Sequence, residues 1–552
     1  MTVSTDQMMA AVLASPQDDA ARLRLADVMV ARGDPRGELI RVQIELERIG
    51  RDADEAEPLV RRERELIVQH EAEWVGPLAD WLIDWTFRRG FIDEVTVEAE
   101  VLVAQAESLF AAIPIQSLRI HNAGAVSADL AACPQLARVR TLHFGSDDGD
   151  SEPIGDDGVA ALAASPHLSA LEELSFGMEQ LDGGGLAALA GAPWLRTLRR
   201  LALPNNEVGD EALASFLADA SLQNLEVLNI DWTGAGSGTV EALPRSTALA
   251  TLRELYLGNN KIGPAGLASL TASSQLPRLC ILDVSCTGLT KGSLQPLYGS
   301  PLLAQLVELR IGSNKLDAGD FDALLKSSSF PALKALALGT ANLGDAGAEI
   351  VARCAALRGL TRLELATSGL TGDGVKALAA SPHLINLQTL NLFSNKGTSA
   401  AAAALAASPT MANLRNLTLS NNSITDDGAQ ALAQSEHLTK LRELSLRANA
   451  LTVNGIKALA ASPALRRLRS VDLGYLGLGD DAAEALAGSA MLASLESLGL
   501  VSNKITGVGA RALAASKGLA MLSELDLRRT SVDAGAAEAL RARFGRRVRV
   551  GR

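Results

Sequence analysis

Rings and charges recur together along this chain: Asp231 and Trp232, Glu254 and Tyr256, Asp283, then Glu308 and Arg310. In a sequence that is only 3% aromatic, Trp and Tyr beside carboxylates have the composition of an interface hot spot. Burying one such ring typically contributes about 2 kcal/mol or more. A second set, Arg447, Asp472 and Tyr475, with Asp526 and Arg528 beyond it, repeats the combination. Such residues bind a partner protein; they do not by themselves transform a substrate. Asp283 and Arg310 also fit a plain cross-strand ion pair worth less than about 1 kcal/mol.

Other chemistries fail on spacing. The stretch TGAGSGT (233–239) imitates a dinucleotide loop, but the third glycine of G-x-G-x-x-G falls on Thr239. His167, His383 and His437 share one sequence position in a repeat. The closest two lie two repeats apart, at least about 10 Å, whereas one zinc ion needs ligands at about 2 Å. HEAEW (70–74) lacks the second histidine of a zinc-protease helix. The acidic GSDDGDSEPIG (145–155) lacks the final glutamate of a calcium loop and reads as a solvated insertion. Cys280 and Cys286 flank one extended segment, too far apart to bridge. With no G-x-S-x-G and no Walker loop, a non-enzyme without cofactor or metal is expected.

The elements that must hold the rings repeat. L-x-x-L-x-L begins at Leu171 and recurs to Leu522 in thirteen steps, each of 27 residues. Looser copies start at Ile115 and Val139, separated by steps of 24 and 32, which makes about sixteen units. In each unit, apolar residues at positions 1, 4 and 6 mark a short strand. Position 9 is often Asn, at Asn206, Asn260, Asn314, Asn395, Asn422, Asn449 and Asn503, with Thr233, Thr287 and Thr530 as partial substitutes. A buried Asn there can bond backbone groups of its own turn and its neighbour's. A segment of the form I/L/V-x-x-x-G then leads into a helix, and Ser-Pro ends several helices. One strand and one helix cannot bury their apolar faces alone, so neighbours must stack. Positions 3, 5 and 7 then face solvent on the strand side, while 4 and 6 face the core.

This 27-residue unit resembles the ribonuclease-inhibitor-like class of leucine-rich repeats over about residues 115 to 535. The resemblance implies an α/β solenoid: a horseshoe with parallel strands on the concave face and helices on the convex face. Strands about 4.8 Å apart over fifteen intervals give an inner arc of roughly 70 Å, the scale of a protein partner. Ribonuclease inhibition is not implied, because those inhibitors alternate two repeat types and are rich in cysteine, whereas this chain keeps one length and has four cysteines.

Residues 10–46 resemble the short repeat-companion domain that precedes bacterial leucine-rich repeats. The match lies in the Pro16 to Asp19 turn, the run Arg24, Leu25, Ala26, Asp27, and Gly33-Asp34-Pro35-Arg36-Gly37 leading to Ile40 and Gln43. Trp74, Trp81 and Trp85 would plug the first layer of the solenoid, which must be covered for solubility. The expected organisation is a mainly helical companion and capping region at 1–98, repeats at 99–535, and a basic cap at 536–552, where RVRV could add a strand.

A net charge of −13 repels phosphate backbones and anionic lipid and favours a basic partner. No apolar run reaches the roughly 18 residues of a membrane span. The start MTVSTDQ lacks signal-peptide regions, and the cysteines show no C-x-x-C spacing. The expectation is a cytoplasmic, monomeric scaffold or inhibitor that binds a protein partner and neither nucleic acid nor membrane. A rival from another class is a regulator of a partner enzyme, such as a GTPase-activating horseshoe, in which one exposed polar residue assists the partner's chemistry.

Overall fold

The computed structural model describes residues 4–51, 53–146, 149, 151–219, 221–243, 250–327, 329–489 and 493–551, so Asp147, Asp148 and Asp150 of the acidic insertion lie outside the described residues. Two compact units result, Met1–Leu279 and Cys280–Arg552.

The first unit opens with α1 (Thr5–Ala14), α2 (Asp19–Ala31), α3 (Pro35–Ile49) and α4 (Glu57–Val75). Its signature residues have local reasons. Asp18 and Asp34 cap α2 and α3 by accepting from Ala21 N and Arg36 N, and Pro35 stands at N1, where a missing N–H costs nothing. At Gly37, α3 crosses α2 so closely that a Cβ would stand 2.7 Å from the Ala26 carbonyl oxygen. Gln43 accepts from Gly90 N at 2.7 Å and donates to Phe87 O at 2.9 Å. It thereby fastens α3 to the hairpin of β1 (Leu82–Arg88) and β2 (Phe91–Glu98), whose two-residue turn, Arg89-Gly90, has both φ angles positive. Of the three tryptophans, Trp85 is buried and donates Nε1–H to Glu71, while Trp74 and Trp81 are half-buried.

After α5 (Ala99–Ala112), β2 pairs in parallel with β3 (Ser117–His121). The ladder continues strand by strand through β4 (Thr141–Phe144), β5 (Glu173–Phe176), β6 (Arg200–Ala202) and β7 (Val227–Asn229) to β8 (Glu254–Tyr256). In the second unit a parallel ladder runs from β9 (Ile281–Asp283) to β19 (Val548–Gly551), and RVRV does form the last of these strands. Register sets leucine on leucine, as at Leu228 and Leu255, or Leu309 and Leu336. Leu252, Leu255 and Leu257 are fully buried.

Three polar ladders tie neighbouring repeats together. The Asn column is the first. Asn260 Oδ1 accepts from Thr233 N and Ala235 N, while its Nδ2 donates to Ile230 O, Leu257 O and Gly258 O. Threonine satisfies only its own turn, as Thr233 does with Ile230 O. In the second ladder an aspartate at a helix start holds the next repeat's threonine: Asp345 Oδ1 accepts from Thr371 N and Gly374 N, and Oδ2 from Thr371 Oγ1. Asp426 with Thr452 and Asp480 with Thr506 repeat it. This explains the glycine four residues after the apolar position, since a Cβ on Gly374 would stand 2.3 Å from Asp345 Oδ1. The third ladder uses the serine just after each helix, which in several repeats is the serine of Ser-Pro. Ser435 and Ser462 donate Oγ–H to Ala406 O and Ala433 O in the preceding repeat at 2.6 and 2.7 Å.

The repeat that starts at Leu171 carries acids in two of these ladders. Glu179 stands in the Asn position and Asp182 in the Thr position.

Candidate protein-binding surface

Position 8 of every strict repeat is left-handed, with φ between 52° and 60° from Met178 to Arg529. In most of these repeats its N–H donates to the carbonyl of position 7 in the next repeat, as Trp232 N does to Gly258 O and Tyr475 N to Val501 O. The chain turns sharply there, and the side chain is thrown outward from the strand edge. Trp232 and Tyr475 are both in this slot and are 59% and 41% exposed.

In the first unit, Glu254 and Tyr256 share a strand face, and the Tyr256 hydroxyl donates to Glu254 Oε2 at 2.9 Å. Half-buried Asp231 precedes Trp232, and its N–H donates to Asn229 Oδ1 at 2.9 Å. A rigid ring, an oriented phenol and two carboxylates therefore lie along adjoining repeats of this unit.

In the second unit the expectation of solvent-facing carboxylates at Asp283 and Glu308 is corrected, because they are 7% and 8% exposed. Strand alternation turns them to the solvent side of the strands as expected, but arginines lie across them. Arg310 Nε donates to Glu308 Oε1 at 2.5 Å and approaches Asp283 Oδ2 at 3.8 Å, while Arg362 stands 3.4 Å from Glu308 Oε2. Asp283 Oδ1 also accepts from Ser285 N at 2.8 Å. Asp283, Glu308 and Arg310 are thus brought together as an ion-pair cluster.

Further along this unit the Arg447 guanidinium covers the Tyr475 ring at 4.3 Å, approaches Asp472 at 3.9 Å, and Arg529 donates to the Tyr475 hydroxyl at 3.1 Å. A hydrogen bond with Ser502 and the two guanidiniums lower the Tyr475 pKa. Burial alone would raise Asp526, but hydrogen bonds from the Arg528 side chain and backbone hold it below the usual range. Arg529 escapes the alternation of positions 3, 5 and 7. Reading position 8 down the repeats reveals both it and Met178.

The rejected chemistries have structural reasons too. The glycine loop at 233–239 already holds an anion, because Gly236 N, Gly238 N, Thr239 N and Thr239 Oγ1 all donate to the Asp210 carboxylate. The histidine position is a turn in which His167 N, His383 N and His437 N each donate to a serine Oγ two residues back. Among the described residues no group of three His, Cys, Asp or Glu side chains could hold a metal ion. The four cysteines are unpaired thiols, and no described helix is long and apolar enough to cross a membrane.

The leucine-rich repeat family model matches residues 248–270, 410–433, 437–460 and 492–514, and each stretch spans a leucine marker, its strand and the turn that follows. The fold is a leucine-rich repeat solenoid. Among solved structures, an internalin from Listeria monocytogenes is 20% identical, with 65% of this chain and 87% of that chain covered at a TM-score of 0.38. The Rad7 and Elc1 complex of yeast is 17% identical, covering 79% and 85% at 0.38. The plant peptide hormone receptor RGFR1, in complex with RGF2, is 14% identical, covering 76% and 70% at 0.28. None of the curated proteins matches the chain.

Proposed function

We propose that this leucine-rich repeat protein is a non-catalytic scaffold or inhibitor, monomeric and cytoplasmic, that docks a basic segment of a protein partner against the strand face around Trp232. The observation that carries this reading is the 59% exposure of Trp232 on a backbone position locked by its bond to Gly258 O. A ring displayed on a rigid turn loses little conformational entropy when a partner buries it. Asp231 next to it in the chain and Glu254 on the adjoining strand attract cations, and the net charge of −13 extends that attraction to long range.

The test captures the partner from cells that make the protein and then measures its affinity for purified variants. Trp232→Ala with Tyr256→Ala should weaken binding at least about thirtyfold, the equivalent of one lost hot-spot ring. Ser445→Ala should leave it unchanged. Capture at parental affinity by the double variant overturns the reading. The partner's turnover, assayed with and without this protein, separates a scaffold, which leaves it unaltered, from an inhibitor or activator.

A further inference from the structure

The position-8 slots of the first unit form a row along one rim of its strands. Met178, Asn205, Trp232 and Asn259 fill it in four successive repeats, all left-handed, with φ between 54° and 59°. Apolar and amide side chains thus alternate. Met178 and Trp232 are 46% and 59% exposed. Among the described residues the side-chain amides of Asn205 and Asn259 and the indole N–H of Trp232 make no hydrogen bond, although N–H bonds to Asp231 O and Gly258 O fix the Asn205 and Trp232 backbones. The row therefore offers two apolar platforms and three free donors on a rigid base.

Spacing decides what can lie along it. The strands leading to Met178 and Trp232 are two steps apart in the ladder, which separates the two platforms by about 9.6 Å. A polyproline II helix rises about 3.1 Å per residue with three residues per turn, so one face recurs about every 9.3 Å. An extended β-segment repeats its face about every 6.8 Å and matches neither one step nor two. An α-helix brings residues i and i+7 back at about 10.5 Å, but it uses its carbonyls internally and leaves the three donors without acceptors. Polyproline II has no internal hydrogen bonds, so all its carbonyls are free to accept.

Charge adds a second condition. In the turns that carry the row and flank it, 145–155, 177–182, 204–209, 231–236 and 258–263, the one basic residue is Lys261, against Glu207, Asp231 and the acids of the insertion. The insertion reaches the row, because a Cβ on Gly149 would stand 3.8 Å from Met178 Sδ. Arg200 stands at the start of its strand, five residues before Asn205, where it helps His143 hold the Glu173 carboxyl below its usual range.

We propose that this row docks a proline-rich segment in the polyproline II conformation, with basic residues among its prolines. Prolines three apart pack on Met178 and Trp232, and the Asn205 amide and the Trp232 indole N–H donate to carbonyls between them. The basic residues, on another face of the same helix, meet Asp231 and the acidic turns. A segment already in this conformation loses little entropy on docking. The inference rests on the reading at Trp232 and specifies the conformation and composition of the basic segment.

Fluorescein-labelled PPRPPRPPRPP, titrated by anisotropy into the full chain, tests the row beside GGRGGRGGRGG, which carries the same charge on a flexible backbone, and PPEPPEPPEPP, which reverses the charge. The proline–arginine peptide should bind saturably and at least about tenfold more tightly than either of the others. Met178→Ser and Trp232→Ala should each weaken it at least about fivefold with little change in melting, since both side chains are exposed. Asn205→Ala should weaken it about threefold, and Tyr475→Ala, in the other unit, should not change it. Equal binding of the two arginine peptides, both lost with Trp232→Ala, overturns polyproline recognition and leaves the docking of a basic segment at Trp232 standing. No binding, binding indifferent to Met178→Ser, or equal binding of the glutamate peptide each overturns the inference, while the reading at Trp232 is decided by capture of its own partner.

Discussion

Trp232 and Tyr475 occupy the same slot of the same repeat, nine periods of 27 residues apart, and their surroundings are opposite in charge. Asp231 precedes Trp232, with Glu254 on the adjoining strand; against Tyr475 lie Arg447 and Arg529. The backbone differs hardly at all, with φ of 54° and 57° and the same N–H to carbonyl bond into the next repeat. The repeat therefore fixes how a side chain is displayed, and neighbouring strands decide what it can recognise. Evolution of specificity in such a solenoid can proceed by changing positions 3, 5, 7 and 8 without touching the ladders that hold the turn.

The largest test removes the shared support. Asn260 accepts from Thr233 N and Ala235 N just after Trp232, and Asn503 accepts from Leu476 N and Leu478 N just after Tyr475. Leucine at either position leaves several buried backbone groups unpaired, each costing on the order of 1 to 3 kcal/mol. Asn260→Leu and Asn503→Leu should each lower stability by about 3 kcal/mol or more. Local damage should show in hydrogen exchange, at 233–235 in one variant and at 476–478 in the other. Unchanged protection would break the claim that one ladder presents both rings.

The period, the leucine core and the Asn column were legible in the sequence because each obeys a fixed spacing. The other two ladders were not. Ser381-Pro382 and Ser408-Pro409 read as helix stops because proline explains them without reference to the serine, yet Ser381 and Ser408 donate to Ala352 O and Ala379 O one repeat back. The Asp345 to Thr371 pair spans 26 residues and looks like ordinary helix capping until the neighbouring repeat is in place. Exposure was the other blind spot. Alternation gives the direction of Asp283 and Glu308, and cross-strand spacing suggests the Asp283–Arg310 pair, but neither gives their burial, because Arg310 also bonds Glu308 on its own strand and Arg362 reaches back from two repeats on. For the same reason Asp283→Lys, which would bury an ammonium beside Arg310, should destabilise the second unit by about 3 kcal/mol in thermal or urea melts.

A third copy of the slot asks whether Asn is needed at all. In the repeat from Leu171, position 8 is Met178, 46% exposed, and position 9 is Glu179, 2% exposed. Glu179 Oε2 accepts from Ile154 N at 2.7 Å, as an Asn would. Its other oxygen lies above Gly145, where an Asn would present a donating amide, so only the protonated acid can imitate that half of the bond set. Burial pushes the Glu179 pKa up to about 7. The folded state then keeps a proton that the unfolded chain has lost above its ordinary value, so stability falls as pH rises from about 4.5 to about 7. The loss is at most about 3.5 kcal/mol. Glu179→Gln, which supplies both acceptor and donor, should flatten that stretch of the urea-midpoint profile and be more stable than the parent at pH 8. A parallel shift of the two profiles would show that Glu179 does not titrate there.

The smallest effect separates the two rings most sharply. A bulky side chain at positive φ costs up to about 1 kcal/mol relative to Asn, which tolerates the left-handed region. Trp232→Asn should therefore raise stability slightly, by about 0.5 kcal/mol, while losing the partner, because the ring is displayed for binding. Tyr475→Asn relieves the same backbone cost but also removes the ring under Arg447 at 4.3 Å and the hydroxyl bonded to Arg529 at 3.1 Å. Those contacts are worth about 0.5 to 1 kcal/mol each at exposed sites, so the net change should be neutral or unfavourable. Opposite signs for one substitution in one slot would show that Trp232 is strained for recognition and Tyr475 is held by its neighbours. Equal gains in both variants would mean that the arginines contribute nothing to Tyr475 in the free protein, and that its order arises from the repeat alone.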